Sequence, residues 1–448
     1  MAVEIFLNDQ LGIREYTQFE DQVGRMRATL KSTGYSRGLS YVIEAINNFA
    51  TYCKFIALIE EGHCVHPCPP YLFHDMNYRA QLTGELSTDF IYCGDNQDLG
   101  IQTSQAAISG RQNTKIGALQ RIGGMPLILR TSGSSGKKYK YILHDYRKFR
   151  AKFMRRERHF DKVLAFFPFD SVAGVEVLTE VLAHRRTLVT TDEKMTPARV
   201  TQLIQSHKID YFQTTPTFLN LLLIGHLFDR QKLVHLRKIF YGSEPSVRSH
   251  LVAIQEALPG IELMHVYGMT EIGILSTKTC PSDPSLFLLD DEFNPGRIVA
   301  GLLEVTSPTL MIDYLNIERQ PMEDDWFPTN DSVEQFGHYL RVLGRNDDIL
   351  NVAGRKFYPS ELENLLQGMP NVAEITIGKE QNSLIGEAIV AQVMLCQPEE
   401  ESAFRVRFRS FCEDKVPYFM HPHRLMIVTD NNVSSRFKKI RTQMAESP

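Results

Sequence analysis

The sequence lacks any long run of apolar residues. No stretch approaches the 18 uninterrupted apolar residues that would indicate a membrane-spanning helix. The richest stretch, 218–228, is interrupted by an asparagine, a glycine and a histidine. The first ten residues carry Glu4 and Asp9 and no basic flank, so they do not resemble a secretory signal. We therefore expect no membrane contact and a cytoplasmic protein.

Cysteine and net charge are also scarce. Seven cysteines in 448 residues give no disulfide framework, which indicates a reducing compartment. The 49 basic and 53 acidic residues leave a net charge of −4, which argues against a broad nucleic-acid-binding surface. The composition, 43% hydrophobic and 23% charged, is typical of a folded globular protein, and the length predicts two or three domains.

The spacing of apolar residues predicts an α/β protein. Apolar residues recur at three- and four-residue steps over 16–30, which indicates a helix, and we expect a second helix over 40–60. Beyond residue 160, short apolar runs alternate with helical stretches, which predicts a parallel sheet covered by helices; the runs are 163–167, 187–190, 209–212, 238–241 and 263–266. The last hundred residues resemble a small α+β module, with strands at 389–395 and 424–428 around a helix at 402–412.

A loop rich in glycine and serine lies between two predicted strands. The strand at 125–130 runs into Thr131-Ser-Gly-Ser-Ser-Gly-Lys-Lys138, and a second β-like stretch follows at 139–143. Glycines let the backbone approach an anion closely, and hydroxyls and N–H groups can bind phosphate oxygens. The spacing is not that of a Walker A loop. A flexible linker is the alternative interpretation of this segment.

The loop resembles the phosphate loop of the adenylate-forming superfamily. This superfamily comprises acyl-CoA synthetases, aryl acid ligases, luciferases and carrier-protein adenylation domains. Five further segments resemble its motifs in the same order: 242–245 (GSEP), 267–271 (YGMTE), 326–331 (WFPTND), 343–363 (beginning LGRNDDI) and 434–441 (SSRFKKIR). Their joint occurrence argues against chance agreement. Lys138 stands where the family has proline, Tyr139 where it has lysine, and Lys140 comes one step late, so the choice of phosphate-loop lysine stays open.

The resemblance implies an ATP-dependent acid–thiol ligase. It forms an acyl-adenylate and pyrophosphate, then passes the acyl group to the thiol of CoA or of a carrier-protein phosphopantetheine. The resemblance implies that Tyr267 offers its aromatic face to the purine and that Asp331 accepts hydrogen bonds from the ribose hydroxyls. It also implies that Thr270 donates to the α-phosphate and that Glu271 holds Mg²⁺. The complete set of nucleotide-binding residues implied is Thr131, Ser132, Gly133, Ser134, Ser135, Gly136, Gly242, Ser243, Glu244, Pro245, Tyr267, Gly268, Asp331 and Arg345.

The resemblance also implies two domains and a mobile cap. A large N-terminal domain, 1–344, holds helix-flanked, mostly parallel sheets, and a small α+β domain, 345–448, rotates between the two half-reactions. Asp347 is the implied hinge, and Gly354 borders the tunnel for the thiol. The implied catalytic residues are Thr270, Glu271 and the C-terminal lysine that bridges the two reacting anions.

Two adjacent lysines compete for that bridging role. The family pattern is Ser-x-Gly-Lys-x-x-Arg, and the spacing to Arg441 selects Lys438. Phe437 stands where the family has glycine, so Lys439 remains an alternative.

The acid substrate is less well defined by the sequence. The segment 167–174 is expected to line the acid pocket, which the resemblance builds from Phe169, Asp170, Ser171, Gly242 and Gly268. The pair Phe169-Asp170 matches amino-acid-activating relatives by letter, but its spacing to Glu176 is one residue too long, and Asp170 is equally well interpreted as a helix cap. We therefore expect an acyl or aryl acid first and an amino-bearing acid second.

Two further alternatives concern the acceptor and the activity. The enzyme can transfer its acyl group to an amine instead of a thiol, or the chain can be a non-catalytic nucleotide-binding relative. An acyl or peptidyl carrier protein is a candidate partner, and the basic run 146–160 is either its docking surface or a solvated helix face. The run contains Arg147, Lys148, Arg150, Lys152, Arg155, Arg156 and Arg158, with Phe149 and Phe153 expected in the core.

The motif reading makes a direct prediction for Lys438→Ala. We expect near-complete loss of adenylation with largely intact transfer from supplied acyl-adenylate, because the lysine neutralises anions only in the first step. ATP–pyrophosphate exchange measures the loss. Exchange above a tenth of the normal rate would identify Lys438 as the wrong lysine.

Overall fold

A computed structural model describes most of the chain. The described residues are 5–9, 12–32, 38–94, 111–132, 139–155, 160–191, 193–229, 231–319, 322–352, 354–382, 386–428 and 439. Among them, none of the helices combines the length and the apolar character needed to cross a bilayer.

Short strands and helices alternate through the first third of the chain. In order they are β1 (Ile5–Asp9), β2 (Gly12–Glu15), α1 (Tyr16–Ser32), β3 (Ser40–Glu44), α2 (Phe49–Glu60), β4 (Cys64–Cys68), α3 (Pro70–Phe73), α4 (Met76–Leu86), β5 (Phe90–Cys93), α5 (Thr114–Arg121), β6 (Pro126–Ser132), β7 (Tyr139–Asp145) and α6 (Tyr146–Met154).

The alternation continues to the end of the predicted parallel sheet. The elements are β8 (Lys162–Leu164), α7 (Val172–His184), β9 (Thr187–Val189), α8 (Pro197–His207), β10 (Tyr211–Thr214), α9 (Pro216–Ile224), β11 (Lys238–Gly242), α10 (Arg248–Ala257) and β12 (Glu262–Val266).

Strands alone follow, and a small α+β region completes the chain. The strands are β13 (Gly268–Met269), β14 (Gly273–Ile274), β15 (Thr277–Cys280), β16 (Asp283–Leu289), β17 (Gly296–Val299), β18 (Leu302–Val305), β19 (Asp313–Tyr314), β20 (Phe327–Phe336) and β21 (Tyr339–Arg345). After a 3-10 turn at Asn346–Asp348 come β22 (Leu350–Val352), β23 (Arg355–Phe357), α11 (Pro359–Leu366), β24 (Val372–Asn382), β25 (Gly386–Leu395), α12 (Glu401–Lys415), a second turn at Tyr418–Met420 and β26 (Arg424–Ile427).

Two mostly parallel sheets form the large part of the molecule. One runs β12-β11-β10-β8-β9-β1-β2 and the other β19-β7-β6-β4-β3-β5. The largest apolar core lies between them and includes buried side chains of α1, α2, α6 and α7. Helices α8, α9 and α10 pack on the outer face of the first sheet, and α3, α4 and α5 on that of the second. The predicted α/β class with helix-flanked sheets is confirmed.

Local patterns account for most elements. Helix α1 buries the side chains that the spacing placed on one face, namely Tyr16, Phe19, Val23, Met26 and Leu30. The expected helix over 40–60 is partly wrong, because 40–44 forms the buried strand β3, which lies between β4 and β5, and the helix begins only at Phe49. A short, fully buried apolar run has no periodicity that distinguishes strand from helix.

An antiparallel sheet, which the sequence did not predict, contacts the first parallel sheet on one side and the small part of the molecule on the other. The small part comprises the elements from β22 onward. The strand order of the antiparallel sheet is β15-β16-β21-β20-β18-β17. The C-terminal sheet, β23-β22-β25-β24 with β26 beside β25, packs against α11 and α12 around its own apolar core. The expected α+β character of the last hundred residues agrees with this arrangement.

Tyr16 offers a test of how α1 is fixed to the core. Its hydroxyl contacts the carbonyl oxygens of Val181 and Arg186, each at 2.8 Å. Tyr16→Phe removes the one hydroxyl proton that the two carbonyls share, while the Val181 carbonyl keeps the Arg186 N–H as a donor, so we expect a loss of about 0.5–1.5 kcal/mol in the free energy of unfolding. Urea denaturation measures it. The control Tyr418→Phe, at a side chain that is 88% exposed, should change stability by less than about 0.5 kcal/mol; equal effects would contradict the assignment.

Candidate active site

A cavity of about 870 Å³ lies where strands of both parallel sheets end. Strand β6 reaches it at Thr131, β11 at Ser243 and β12 at Tyr267, while β20 and β21 close the opposite side. Ligands of α/β proteins bind at the carboxyl ends of parallel strands, where the following loops converge. The cavity is therefore the candidate active site.

Tyr267, Asp331 and Arg345 form one linked group in this cavity. The Tyr267 hydroxyl donates to Asp331 Oδ2 at 2.6 Å, and Arg345 Nε lies 3.6 Å from Asp331 Oδ1. Burial raises the pKa of Asp331 above its ordinary value, against the hydrogen bond from Tyr267 and the charge of Arg345. The Tyr267 ring stacks on Phe287 with centroids 5.6 Å apart. The structure thus brings three sequence-predicted residues together.

The hinge candidate is connected to this group. Asn330 has a φ of +62°, the left-handed conformation that its place in the family's glycine position requires. Its amide donates to Asp347 Oδ2 at 2.9 Å, which links the segment 326–331 to the 3-10 turn after β21. Gly354 also has a positive φ, +83°.

The carboxylate of Glu271 is held by Tyr314, a residue outside the sequence motifs. Tyr314, on β19, donates its hydroxyl to Glu271 Oε1 at 2.9 Å, and both line the cavity. Among the described residues, Glu271 Oε2 has no hydrogen-bond partner. Thr270 is next to Glu271 in the cavity lining. Mg²⁺ takes one or two carboxylates together with substrate phosphates, so a single buried carboxylate fits this ion. Tyr314 belongs to none of the recognised motifs, so it could not be identified from the sequence.

Two glycines of the motifs permit close backbone approaches. A Cβ on Gly242 would lie 2.0 Å from the Val266 carbonyl oxygen, and one on Gly268 would lie 2.5 Å from that of Gly273. Ser243 follows with a φ of +74°. Any side chain at either glycine would push apart the strand ends that form the cavity wall. Pro245 lies in the same wall.

The phosphate loop is described only at its two ends. Thr131 and Lys140 line the cavity, and Lys140 Nζ lies 5.8 Å from the centre of the Tyr314 ring. Gly133, Ser134, Ser135, Gly136 and Lys138 lie outside the described residues, as does the side chain of Ser132. Lys140 is thus the phosphate-loop candidate lysine that the structure places at the site.

The predicted acid-pocket residues have other contacts. Phe169 is in the core, with its ring 5.0 Å from Phe55. Asp170 Oδ2 lies 3.5 Å from the Arg130 guanidinium, and both side chains are buried. The helix cap is Ser171 rather than Asp170, since its hydroxyl accepts from the Gly174 N–H at 3.1 Å.

Arg130 connects this segment to the phosphate loop. It is the residue before Thr131, and its guanidinium lies 4.3 Å from the centre of the Tyr139 ring, where the chain resumes after the loop. The pair Arg130–Asp170 therefore joins the base of the phosphate loop to the segment 168–171. A lone buried arginine in a strand gave no sequence signal of this role.

The basic run on α6 is not a uniformly charged surface. Phe149 and Phe153 are buried as expected. Lys152 is also buried: its ammonium pairs with Glu176 on α7 and donates to the Ile274 carbonyl at 2.6 Å. Arg156 and Arg158 lie outside the described residues. Placing Lys152 on a docking surface was therefore wrong, because the lysine is the counter-charge of a buried carboxylate.

Of the two candidate C-terminal lysines, the structure describes one. Lys438 lies outside the described residues. Lys439 is described, lines the cavity and has a side chain only 8% exposed, with its ammonium 2.6 Å from Glu374 Oε1.

Comparison with known proteins agrees with this geometry. Residues 125–301 match the family described as AMP-binding enzyme. An indoleacetate–CoA ligase of Aromatoleum aromaticum is 26% identical over 52% of this chain and 49% of its own length. An L-proline–[L-prolyl-carrier protein] ligase of Pseudomonas fluorescens is 25% identical over 50% of this chain and 47% of its own. The chain spans about half the length of the curated relatives it matches.

Solved structures share the fold over nearly the whole chain. ATP-bound MatB from Rhodopseudomonas palustris superposes with a TM-score of 0.78 over 97% of this chain and 93% of its own, at 17% identity. A mutant of an amide bond synthetase from Marinactinospora thermotolerans gives a TM-score of 0.75 over 97% and 94%, at 18% identity.

The buried pair Lys152–Glu176 makes a stability prediction. Lys152→Met leaves Glu176 buried without a counter-charge, so we expect a loss of about 3–5 kcal/mol in the free energy of unfolding. The matched control is Arg150→Met, whose half-exposed side chain lies 3.5 Å from Glu60 and should cost about 0–1 kcal/mol. Urea denaturation of both variants compares them, and similar losses would refute the buried role of Lys152.

Proposed function

This chain belongs to the adenylate-forming superfamily, and from that premise we propose that it activates a small carboxylic acid with ATP and transfers the acyl group to a thiol. The observation that carries the proposal is the group of Tyr267, Asp331 and Arg345 in one cavity with Glu271. Residues from β12, β20 and β21 converge there, and each offers the chemistry that a different part of ATP requires.

The nucleoside half of ATP fits the linked group. Tyr267 contributes an aromatic face for the purine, and Asp331 offers carboxylate oxygens to the two ribose hydroxyls. Tyr267 already donates to Oδ2 of that carboxylate, so it fixes the direction in which the remaining lone pairs point. Arg345 balances the buried charge.

The phosphates are assigned to the other end of the cavity. Thr131, Thr270 and Lys140 supply donors there, and Glu271 would hold Mg²⁺ while Tyr314 fixes its carboxylate. When bound, the ion would neutralise phosphate charge as the two anions approach each other.

The first half-reaction joins the two anions. A carboxylate oxygen of the acid attacks the α-phosphorus, and the bond from that phosphorus to the bridging oxygen breaks. Pyrophosphate leaves with the electron pair, and the product is an acyl-adenylate. We assign Lys438 to bridge the carboxylate and the α-phosphate, since positive charge placed there stabilises the transition state. A closed cavity protects the mixed anhydride from water.

The ion pair at Asp170 favours an acyl or aryl acid. A substrate ammonium needs a carboxylate whose charge is not already balanced, and Asp170 lies beside the buried Arg130 guanidinium. An amino-bearing acid is therefore the second candidate.

The thiol acceptor is CoA or a carrier-protein phosphopantetheine. We propose that the boundary lies between residues 344 and 345, with Asp347 as the hinge and Gly354 beside the incoming thiol. The positive φ of Gly354 and the short turn at Asn346–Asp348 support a backbone change at this point. Transfer to an amine is the alternative that the amide bond synthetase neighbour makes worth testing.

The proposal is tested by ATP–pyrophosphate exchange with a panel of acyl, aryl and amino acids. We expect exchange with one class and consumption of the adenylate by CoA or a carrier protein. Exchange followed by consumption with amines alone would favour amide synthesis. No exchange with any acid, in a protein that binds ATP, would identify a non-catalytic nucleotide-binding relative.

Asp331 makes a pH-dependent prediction. We expect Asp331→Asn to raise KM for ATP at least tenfold, because an amide offers one acceptor oxygen instead of two. In the wild type, affinity for ATP should fall as the pH falls through the raised pKa of Asp331, since protonation removes an acceptor. The asparagine variant should lose this dependence, whereas Asp229→Asn, at a partly exposed carboxylate outside the cavity lining, should keep it. Identical pH profiles of KM for the wild type and Asp331→Asn would contradict the ribose role.

A further inference from the structure

We propose that Lys439 is a positioning residue. It anchors the motif 434–441, called the C-terminal segment below, between the small and the large part, and it does not itself contact the reacting anions. This inference rests on the proposed function. It concerns a residue that the motif leaves unassigned and that the structure places at the cavity in a buried ionic cluster.

The ammonium of Lys439 is surrounded by acceptors of the small part. Nζ lies 2.6 Å from Glu374 Oε1 and 3.5 Å from Glu363 Oε2, and it donates to the Ile375 carbonyl at 2.8 Å. The Lys439 side chain is 8% exposed, and those of Glu363 and Glu374 are 3% and 4% exposed. The two carboxylates are thus buried around one cation.

The other oxygens of both carboxylates are also bound. Glu363 Oε1 accepts from the Ile377 N–H at 2.9 Å, which ties α11 to β24. Glu374 Oε2 accepts from the amide of Asn220, and the same amide donates to the Ala373 carbonyl at 3.1 Å. Asn220 lies on α9 of the large part, so the cluster reaches across the interface.

The backbone of Lys439 is held by the large part. Its N–H donates to Glu244 Oε2 at 3.1 Å, and Glu244 Oε1 accepts from the Thr217 N–H at the start of α9 at 2.9 Å. Glu244 belongs to the 242–245 segment of the cavity wall. One carboxylate therefore joins the N-terminus of a helix, the nucleotide cavity and the C-terminal segment.

These contacts divide into two sets with different consequences. The contacts from Lys439 Nζ to Glu363, Glu374 and Ile375 lie within the small part and survive a rigid rotation of that part. The contacts of Asn220 with Ala373 and Glu374, and that of Glu244 with the Lys439 N–H, cross the interface and break on such a rotation. The side chain thus keeps the segment attached to the small part, and the backbone contact fixes where the segment lies during adenylation.

A catalytic role for Lys439 would carry a large penalty. Moving its ammonium to the substrate would leave two buried carboxylates without a counter-charge. Consecutive Cα atoms are about 3.8 Å apart, so fixing the backbone at residue 439 limits the positions open to its neighbours. The geometry therefore assigns anchoring to Lys439 and leaves the bridging role to Lys438.

The test separates the two half-reactions. We expect Lys439→Met to lower the ATP–pyrophosphate exchange rate at least tenfold, with transfer from supplied acyl-adenylate within twofold of wild type. Glu374→Gln should lower exchange three- to tenfold, because it weakens the anchor without touching the lysine. If Lys439 were catalytic, Glu374→Gln would leave exchange unchanged or raise it, and that result would overturn the proposal.

A matched control and an independent measurement complete the design. Lys379→Met removes a lysine of the same strand as Glu374 that pairs with Glu387 at 2.6 Å, and it should leave both half-reactions within twofold of wild type. Hydrogen exchange of a peptide containing residue 439 should be at least tenfold faster in Lys439→Met and Glu374→Gln than in wild type and Lys379→Met.

The outcomes keep the anchor and the proposed function apart. Unchanged hydrogen exchange in both cluster variants overturns the anchor, as does equal loss of both half-reactions in a variant that melts normally. If Lys439→Met does not fold, Glu374→Gln decides by the same two measurements. If the wild type exchanges pyrophosphate with no acid, the proposed function fails, and hydrogen exchange alone decides the anchor.

Discussion

The site depends on one constraint, that parallel strands of two sheets end at the same cavity. Side chains that are far apart in the chain, from Thr131 to Tyr267, meet there because the carboxyl ends of β6, β11 and β12 point to one place, and β20 of the antiparallel sheet adds Asp331. The close approach of Gly242 to Val266 shows how little space separates two of these ends. Chemistry on ATP needs a purine surface, ribose acceptors and phosphate donors within one molecule's length. A shared sheet edge supplies that spacing without long loops.

Buried ion pairs then fix the segments that the sheets deliver. Arg130–Asp170 joins the base of the phosphate loop to the segment before α7, and Lys152–Glu176 holds the turn that follows Glu271. Such pairs add little net stability, because each charge must lose its water. Their effect is directional: a wrong position would leave a charge unpaired in the interior. The site is thus positioned by charges that do not themselves line the cavity.

The sequence could predict local features of the fold and site, but not the contacts between residues that are distant in the chain. Residues with a specific local requirement could be predicted from the sequence, as the buried face of α1 was from the spacing of its apolar residues. Partners distant in the chain could not, since nothing near Glu271 indicates that Tyr314 binds it. Lys152 shows the same limit, because nothing in the sequence of a basic run indicates which lysine is buried against a carboxylate. The antiparallel sheet was missed because some of its strands lack a regular alternation of apolar and polar residues: β17 is mostly exposed, and polar residues interrupt β20, FPTNDSVEQF.

The C-terminal cluster extends the same physics to an element that rotates under the proposed function. In that proposal Lys438 acts in one half-reaction and is withdrawn in the next, so its neighbour Lys439 needs contacts that persist in both states. Glu363 and Glu374 give the C-terminal segment a buried cation site within the small part, while Glu244 offers a single acceptor across the interface. The strong contacts therefore lie within the small part and the weaker ones between the small and the large part. Under the proposed rotation, that ordering would let the interface open while Lys439 keeps its partners in the small part, since the exchanged contacts are hydrogen bonds and the retained ones include paired charges.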